Sequence, residues 1–159
     1  MKIKISINKM PLIGYTNIDP FPIIPDQYKD QMAVKGGDIK NLEVSQSSCT
    51  EIICEDIMDF IPYNEFYKTI EHYVSKLRHN GRIVISGTDM EVVSKMYLNG
   101  ELNTLEFNRV VHGEQNNAWS FKLGQITIEE TSEILIELGL KIQSKSINGM
   151  CFQIVGVRL

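Results

Sequence analysis

Asp19 closes the segment Tyr15-Thr16-Asn17-Ile18 and stands directly before Pro20. Its two oxygens suit the paired hydroxyls of a ribose, although an aspartate before proline also starts a turn. In Gly36-Gly37-Asp38-Ile39 a carboxylate sits beside an apolar side chain. That pairing can accept a hydrogen from an adenine amino group while Ile39 packs the ring, and Gly-Asp is equally a turn signal. Glu55, Asp56 and Asp59 follow the apolar run Ile52-Ile53-Cys54. Close carboxylates raise the pKa of one of their number, which suits orienting a substrate; a solvated approach to a helix or a metal site has the same composition. His112-Gly113-Glu114-Gln115 offers a titratable ring, a carboxylate and an amide in a break after a helical pattern, as a surface loop also would. His72 and His79 read as helix support or solvent-exposed rings. Trp119 and Phe121 either line a pocket or cover a sheet. No serine-hydrolase triad, Walker loop or zinc pattern is present, and no metal is expected.

The elements that must carry these residues follow from periodicity. Ile3, Ile5 and Ile7 alternate with Lys2, Lys4 and Ser6, which is a strand with one face better buried. Residues 15–19 supply a second short strand, and 20–37, with prolines at 20, 22 and 25, read as an irregular connection. Ile52 to Cys54 is a covered strand. Over 63–78, Phe66, Tyr67, Ile70, Val74 and Leu77 recur at helical spacing, and His79-Asn80-Gly81 reads as the helix stop before the strand Arg82 to Gly87. Strand, helix and strand in that order make a βαβ crossover between parallel strands.

Helices are expected over 90–98, with Asp89 at the start, over 102–111, where Asn103 and Asn108 weaken the pattern, and over 127–138. The last has Thr127 as cap, Glu130 three residues on and Gly139 as stop. Asn148-Gly149 joins two extended segments, about 141–147 and 151–159, as a hairpin. The fold class is therefore α/β: a mostly parallel, Rossmann-like sheet with a C-terminal antiparallel hairpin, in a single domain over 1–159.

Composition bounds the setting. With 159 residues, 43% of them apolar and 23% charged, the chain supports one core and is not a disordered one. A net charge of -4, with Arg78, His79 and Arg82 too few for a backbone track, makes nucleic acid the weaker partner. Three cysteines without a CxxC pair point to a reducing, cytoplasmic compartment. No apolar stretch reaches the length of a membrane span.

Four blocks together resemble the compact class I S-adenosylmethionine-dependent methyltransferases: Gly14-Tyr15-Thr16-Asn17-Ile18-Asp19, Gly37-Asp38-Ile39, Leu77 to Ile85, and Leu105 to Gln115. The resemblance implies S-adenosylmethionine held at the sheet's edge, with Asp19 on the ribose, Asp38 and Ile39 beside the adenine, and Cys54-Glu55-Asp56 near the methionyl end. Where that family carries a glycine-rich turn after the first strand, this chain reads Ser6-Ile7-Asn8-Lys9-Met10. Glycine permits close backbone approach; Asn8 and Lys9 are the residues left to meet the cofactor's carboxylate. The family's histidine before the proline is absent from Asp59-Phe60-Ile61-Pro62, and a later one is replaced around Phe121. The activity implied is methyl transfer to a small-molecule or saccharide-like acceptor, with Glu55 or Asp56, or else His112, orienting or deprotonating it. The alternative is a noncatalytic binding or assembly protein that keeps the fold.

Overall fold

A computed structural model describes residues 1–22, 24, 27, 30 and 33–159. Part of the connection expected over 20–37, Pro25 included, lies outside the described residues. Seven strands form one sheet: β1 (Lys2–Ser6), β2 (Thr16–Ile18), β3 (Ala33–Lys35), β4 (Cys49–Glu55), β5 (Leu77–Thr88), β6 (Leu140–Asn148) and β7 (Cys151–Arg158). Their order is β3-β2-β1-β4-β5-β7-β6, with β7 antiparallel to both β5 and β6 and the other pairs parallel. The helices are α1 (Phe66–Lys76), α2 (Met90–Leu98), α3 (Thr104–His112) and α4 (Ile128–Glu137).

Register sorts the side chains into two faces. One row runs Ile3, Ile52, Ile83 and the next runs Ile5, Cys54, Ile85, Ile154. These residues make one buried core with Phe66, Ile70 and Tyr73 of α1 and Leu135 of α4. Burying a side chain of this size stabilises by about 1.5–3 kcal/mol, so the two helices are held by this face and not by propensity. The opposite face carries Lys2, Glu51 and Arg82 in one row and Lys4, Ile53, Val84 and Val155 in the next. Among the described residues no α-helix joins β1 to β2 or β2 to β3. The charges on this face satisfy one another instead. Glu51, 3% exposed, accepts from Tyr15 Oη at 2.5 Å and from Arg82 Nε at 2.5 Å, and Lys4 pairs with Glu55. Lys4 and Ser6 are thus buried too, so β1 is covered on both sides rather than on one.

Three boundaries differ from the sequence pattern. β3 lies inside the stretch read as an irregular connection, and at three residues it is too short to show a period. α1 stops at Lys76, and β5 begins at once, with His79-Asn80-Gly81 inside the strand as a bulge rather than at the helix end. Asn80 does adopt a positive φ of 58°. Asn103, taken as a weak point, is the N-cap of α3: its Oδ1 accepts from Glu106 N at 2.9 Å while Glu106 Oε2 accepts from Asn103 N at 2.8 Å. The capping box satisfies two otherwise orphaned amides. Thr127 caps α4 and Gly139 leaves it at φ 83°, as the pattern requires. In the hairpin only Gly149, at φ 59°, takes the left-handed region, and Asn148 stays in the strand.

Candidate functional site

Parallel strands β1, β2, β3 and β4 all end at one edge, where their crossovers leave a crevice. An apolar cleft of about 350 Å³ lies there. Ile7 enters it from the end of β1, Pro20 and Phe21 from the end of β2, Ile39 from beyond β3 and Phe60 from beyond β4. The remaining wall is the loop after α3, which contributes Trp119 and Phe121. A smaller hollow, about 160 Å³, lies against Thr16, Ile18 and Gly36 to Asp38. Asp38 and Ile39, adjacent in sequence, therefore border different hollows: the exposed carboxylate lines the small one and the buried isoleucine the cleft.

Asp19 is 4% exposed, and its oxygens are engaged by backbone. Oδ2 accepts from Asn8 N at 2.8 Å and Oδ1 from Phe21 N at 2.8 Å. Asn8 has a positive φ of 55°, so the turn after β1 bends back far enough to present its amide to β2. The next residue, Lys9, reaches the other way, pairing through Nζ with Asp56 Oδ2 at 3.0 Å. Asp56, also at φ 55°, accepts on Oδ1 from Ser86 Oγ at 3.0 Å and donates its amide to Ser86 O. Asn8, Asp19 and Asp56 thus meet around one turn.

The other sequence candidates are dispersed by the pleat. Cys54 is fully buried on the core face, and that burial pushes its thiol well above the ordinary value. Its side chain lines neither the cleft nor the smaller hollow. Glu55, next along β4, points to the opposite face and Lys4. His112 ends α3 exposed, and its carbonyl accepts from Lys122 N at 3.1 Å, but no hydrogen bond joins its ring to Glu55 or Asp56. His72 is neither free nor merely structural surface. Its Nε2 accepts from Leu42 N at 2.9 Å, and neighbouring Tyr73 donates its hydroxyl to Ile39 O. Two adjacent residues of α1 therefore fasten the loop that bears Asp38 and Ile39.

Solved structures share this architecture across the whole sheet. An S-adenosylmethionine-dependent methyltransferase from Mesorhizobium loti aligns with a TM-score of 0.64 at 10% identity, over 99% of this chain and 90% of that one. A possible histamine N-methyltransferase from Thermotoga maritima aligns at 0.62 and 11% identity, over 99% and 82%. Magnesium protoporphyrin IX methyltransferase from Synechocystis PCC 6803, solved with bound SAH, aligns at 0.55 and 16% identity. The alignment takes in 83% of this chain, which spans only 53% of that enzyme. The fold is that of the class I methyltransferases. No protein-family model and no curated protein matches the sequence.

Beyond β4 and β5 lies a polar cluster that sequence reasoning found only in part. Asp59 is 2% exposed and pairs through Oδ2 with Lys122 Nζ at 2.8 Å and Thr88 Oγ1 at 2.8 Å. Its Oδ1 is buried without a hydrogen-bond partner. Asp59 O also accepts from Leu123 N at 2.7 Å, so the loop after α3 is fastened here by side chain and backbone together. Lys122 carries no sequence signal, because nothing local distinguishes it from a solvated lysine. Among the described residues no helix is long and apolar enough to cross a membrane, and no three metal-binding side chains converge.

Proposed function

We propose that residues 1–159 act as one unit that transfers the methyl group of S-adenosylmethionine to a small-molecule acceptor in the cytoplasm. The observation that carries this reading is the cleft at the carboxyl edge of β1 to β4, in a sheet ordered β3-β2-β1-β4-β5-β7-β6. Ile7 and Ile39 supply apolar packing for an adenine, and Asp38 an exposed acceptor nearby. Asp19 stands at the ribose position with each oxygen already receiving one amide. A carboxylate oxygen has a second lone pair, so the residue fits a diol chemically. At 4% exposure it meets one only after the Ser6–Met10 turn gives way.

The cofactor supplies an electrophilic methyl carbon on a sulfonium; the chain's residues position the acceptor opposite it and exclude water. Asp56 is the best placed of the three acid–base candidates. It lies at the β4 turn with its carboxylate oriented by Ser86, whereas Glu55 faces Lys4 on the other side of the sheet. Asp56 Oδ2, now paired with Lys9, is the atom assigned to receive the acceptor's proton.

A second reading, a noncatalytic binding protein that keeps the fold, is favoured by one observation: Asn8 and Lys9 tie the turn to Asp19 and Asp56 on either side. Calorimetry with S-adenosylhomocysteine separates the two. Methyl transfer predicts saturable binding, weakened about tenfold or more by Asp38→Ala with the fold intact. A folded protein that takes up no S-adenosylhomocysteine supports the second reading.

A further inference from the structure

Parallel strands are normally covered on both faces of their sheet. Here α1 and α4 pack on one face. On the other lies a hollow of about 450 Å³ floored by β1, β4, β5 and β7, with Leu12 and Tyr15 as a wall. None of the residues bordering it belongs to an α-helix. Its middle row is apolar: Ile53, Val84 and Val155 stand side by side on three neighbouring strands. Ile53 and Val84 are only half-buried, whereas Ile52 and Ile83, which point to the core face of the same strands, are 0% exposed. A β-branched apolar row left open inside a polar rim marks an interaction surface.

Charge decides what fits it. The rows of this face hold Lys2, Lys4, Arg82 and Lys141 against Glu51 and Glu55, so the face is basic on a chain whose net charge is -4. Lys2 and Arg82 share the carboxylate of Glu51, and no ion pair among the described residues takes in Lys141, which is exposed. A second copy meeting this face with its own sets like charges together. The apolar row spans two strand spacings, about 10 Å, which matches the rise from i to i+7 along a helix. Arg82 and Lys141 follow it along one flank, and Ser86, Gln153 and Ser146 along the other. We propose that this face docks an acidic amphipathic helix of a partner protein. Its apolar stripe rests on Ile53, Val84 and Val155, and its carboxylates meet Arg82 and Lys141.

Two synthetic helices of about 18 residues test this, with the same leucine stripe and either glutamate or lysine beside it. The glutamate peptide is expected to shift the Val84 and Val155 amide resonances saturably in a ¹H–¹⁵N spectrum. The lysine peptide should bind at least tenfold more weakly. Val84→Asp should abolish the response. Lys141→Glu, at an exposed position that leaves the core untouched, should weaken the glutamate peptide about threefold or more and reduce its salt dependence. Dispersed spectra verify that each variant folds, and Lys141→Glu carries the test if Val84→Asp does not. Equal affinity for the two peptides overturns the proposal, as does no response to the glutamate peptide at about 1 mM. A dimer in sedimentation that Val84→Asp dissociates gives the face to a second copy. Loss of the same resonances on phosphatidylserine vesicles, without a response to the glutamate peptide, gives it to a membrane. Either result also overturns the proposal.

Discussion

His72 acts in this molecule as a hydrogen-bond acceptor, and an imidazole accepts only while it is neutral. Leu42 N donates to Nε2 at 2.9 Å, and Leu42 is 2% exposed, so its amide has no easy recourse to water. Burial first, and then the charge of Lys76 one turn on, hold the ring below its ordinary pKa; the carboxylate of Asp38 acts against both. A surface hollow beside His72 is bordered by Lys40, Glu65 and Lys68, with Lys40 and Glu65 paired at 2.7 Å. The native state therefore prefers the neutral ring. Its contribution is fully present above the unfolded value of about 6.5 and is lost as pH falls through the lower folded value. Protonation turns Nε2 into a donor facing a donor, at a cost of about 1 kcal/mol or more. Protection of the Leu42 amide, its exchange rate taken relative to the intrinsic rate at each pH, is expected to fall between pH 7.5 and 5 in the parent. In His72→Gln, whose amide oxygen accepts without titrating, that pH step should vanish. The spacing of α1 showed only that His72 sits on a helix. Its partner is 30 residues away in sequence, and no local pattern encodes that contact.

At the scale of elements, the apolar periods read well and the close approaches did not. Hydrophobic spacing located α1, α2 and α4, the crossover from β4 to β5 and the terminal hairpin, because each buries a continuous stripe. The left-handed residue at Asn80 was also legible, but its purpose was not. Gly81 lies where β5 bulges against β4, and a Cβ there would stand 2.8 Å from Arg78 O and 2.9 Å from Cys49 O. Both are backbone atoms held in the sheet, so neither moves cheaply. Gly81→Ala is expected to destabilise by about 1–3 kcal/mol, read as a lower urea midpoint at unchanged slope. Gly100→Ala is the comparison. It has open space around it but a φ of 76°, and its cost should be about 1–2 kcal/mol, from backbone strain alone. The capping box of α3 was misread for a related reason. Asn103 lowers propensity inside a helix and raises stability at its first position, and residue type alone does not say which applies.

For the whole molecule, the question is how tightly the turn after β1 is shut across the site, and the sizes of its two ties decide the answer. The sequence placed Asn8, Asp19 and Asp56 near one another by analogy of strand ends, and they do converge. It did not show that they bind each other, since such pairing depends on the turn's path in three dimensions. The Lys9–Asp56 pair is the weaker tie: its side chains are 44% and 36% exposed, and such surface pairs contribute about 0–1 kcal/mol, screened further by salt. Asn8 N–H to Asp19 is the stronger, being a charge-assisted bond to a carboxylate 4% exposed. Lys9→Ala should therefore loosen the turn only slightly. If the pair merely closes the site, the variant binds S-adenosylhomocysteine more tightly, by about fivefold at most, and raising the salt concentration gives the parent the same gain. If Lys9 itself holds the ligand's carboxylate, affinity falls instead, and salt weakens the parent as well. Asn8→Gly tests the other tie. Glycine takes the φ of 55° without strain and keeps the amide that Asp19 accepts, so the fold and the tie should both survive. What the variant removes is the Asn8 side chain, and an unchanged S-adenosylhomocysteine affinity would mean that this side chain plays no part in binding. A loss of about tenfold would place the Asn8 amide group on the ligand and make the turn a working substitute for the missing glycines.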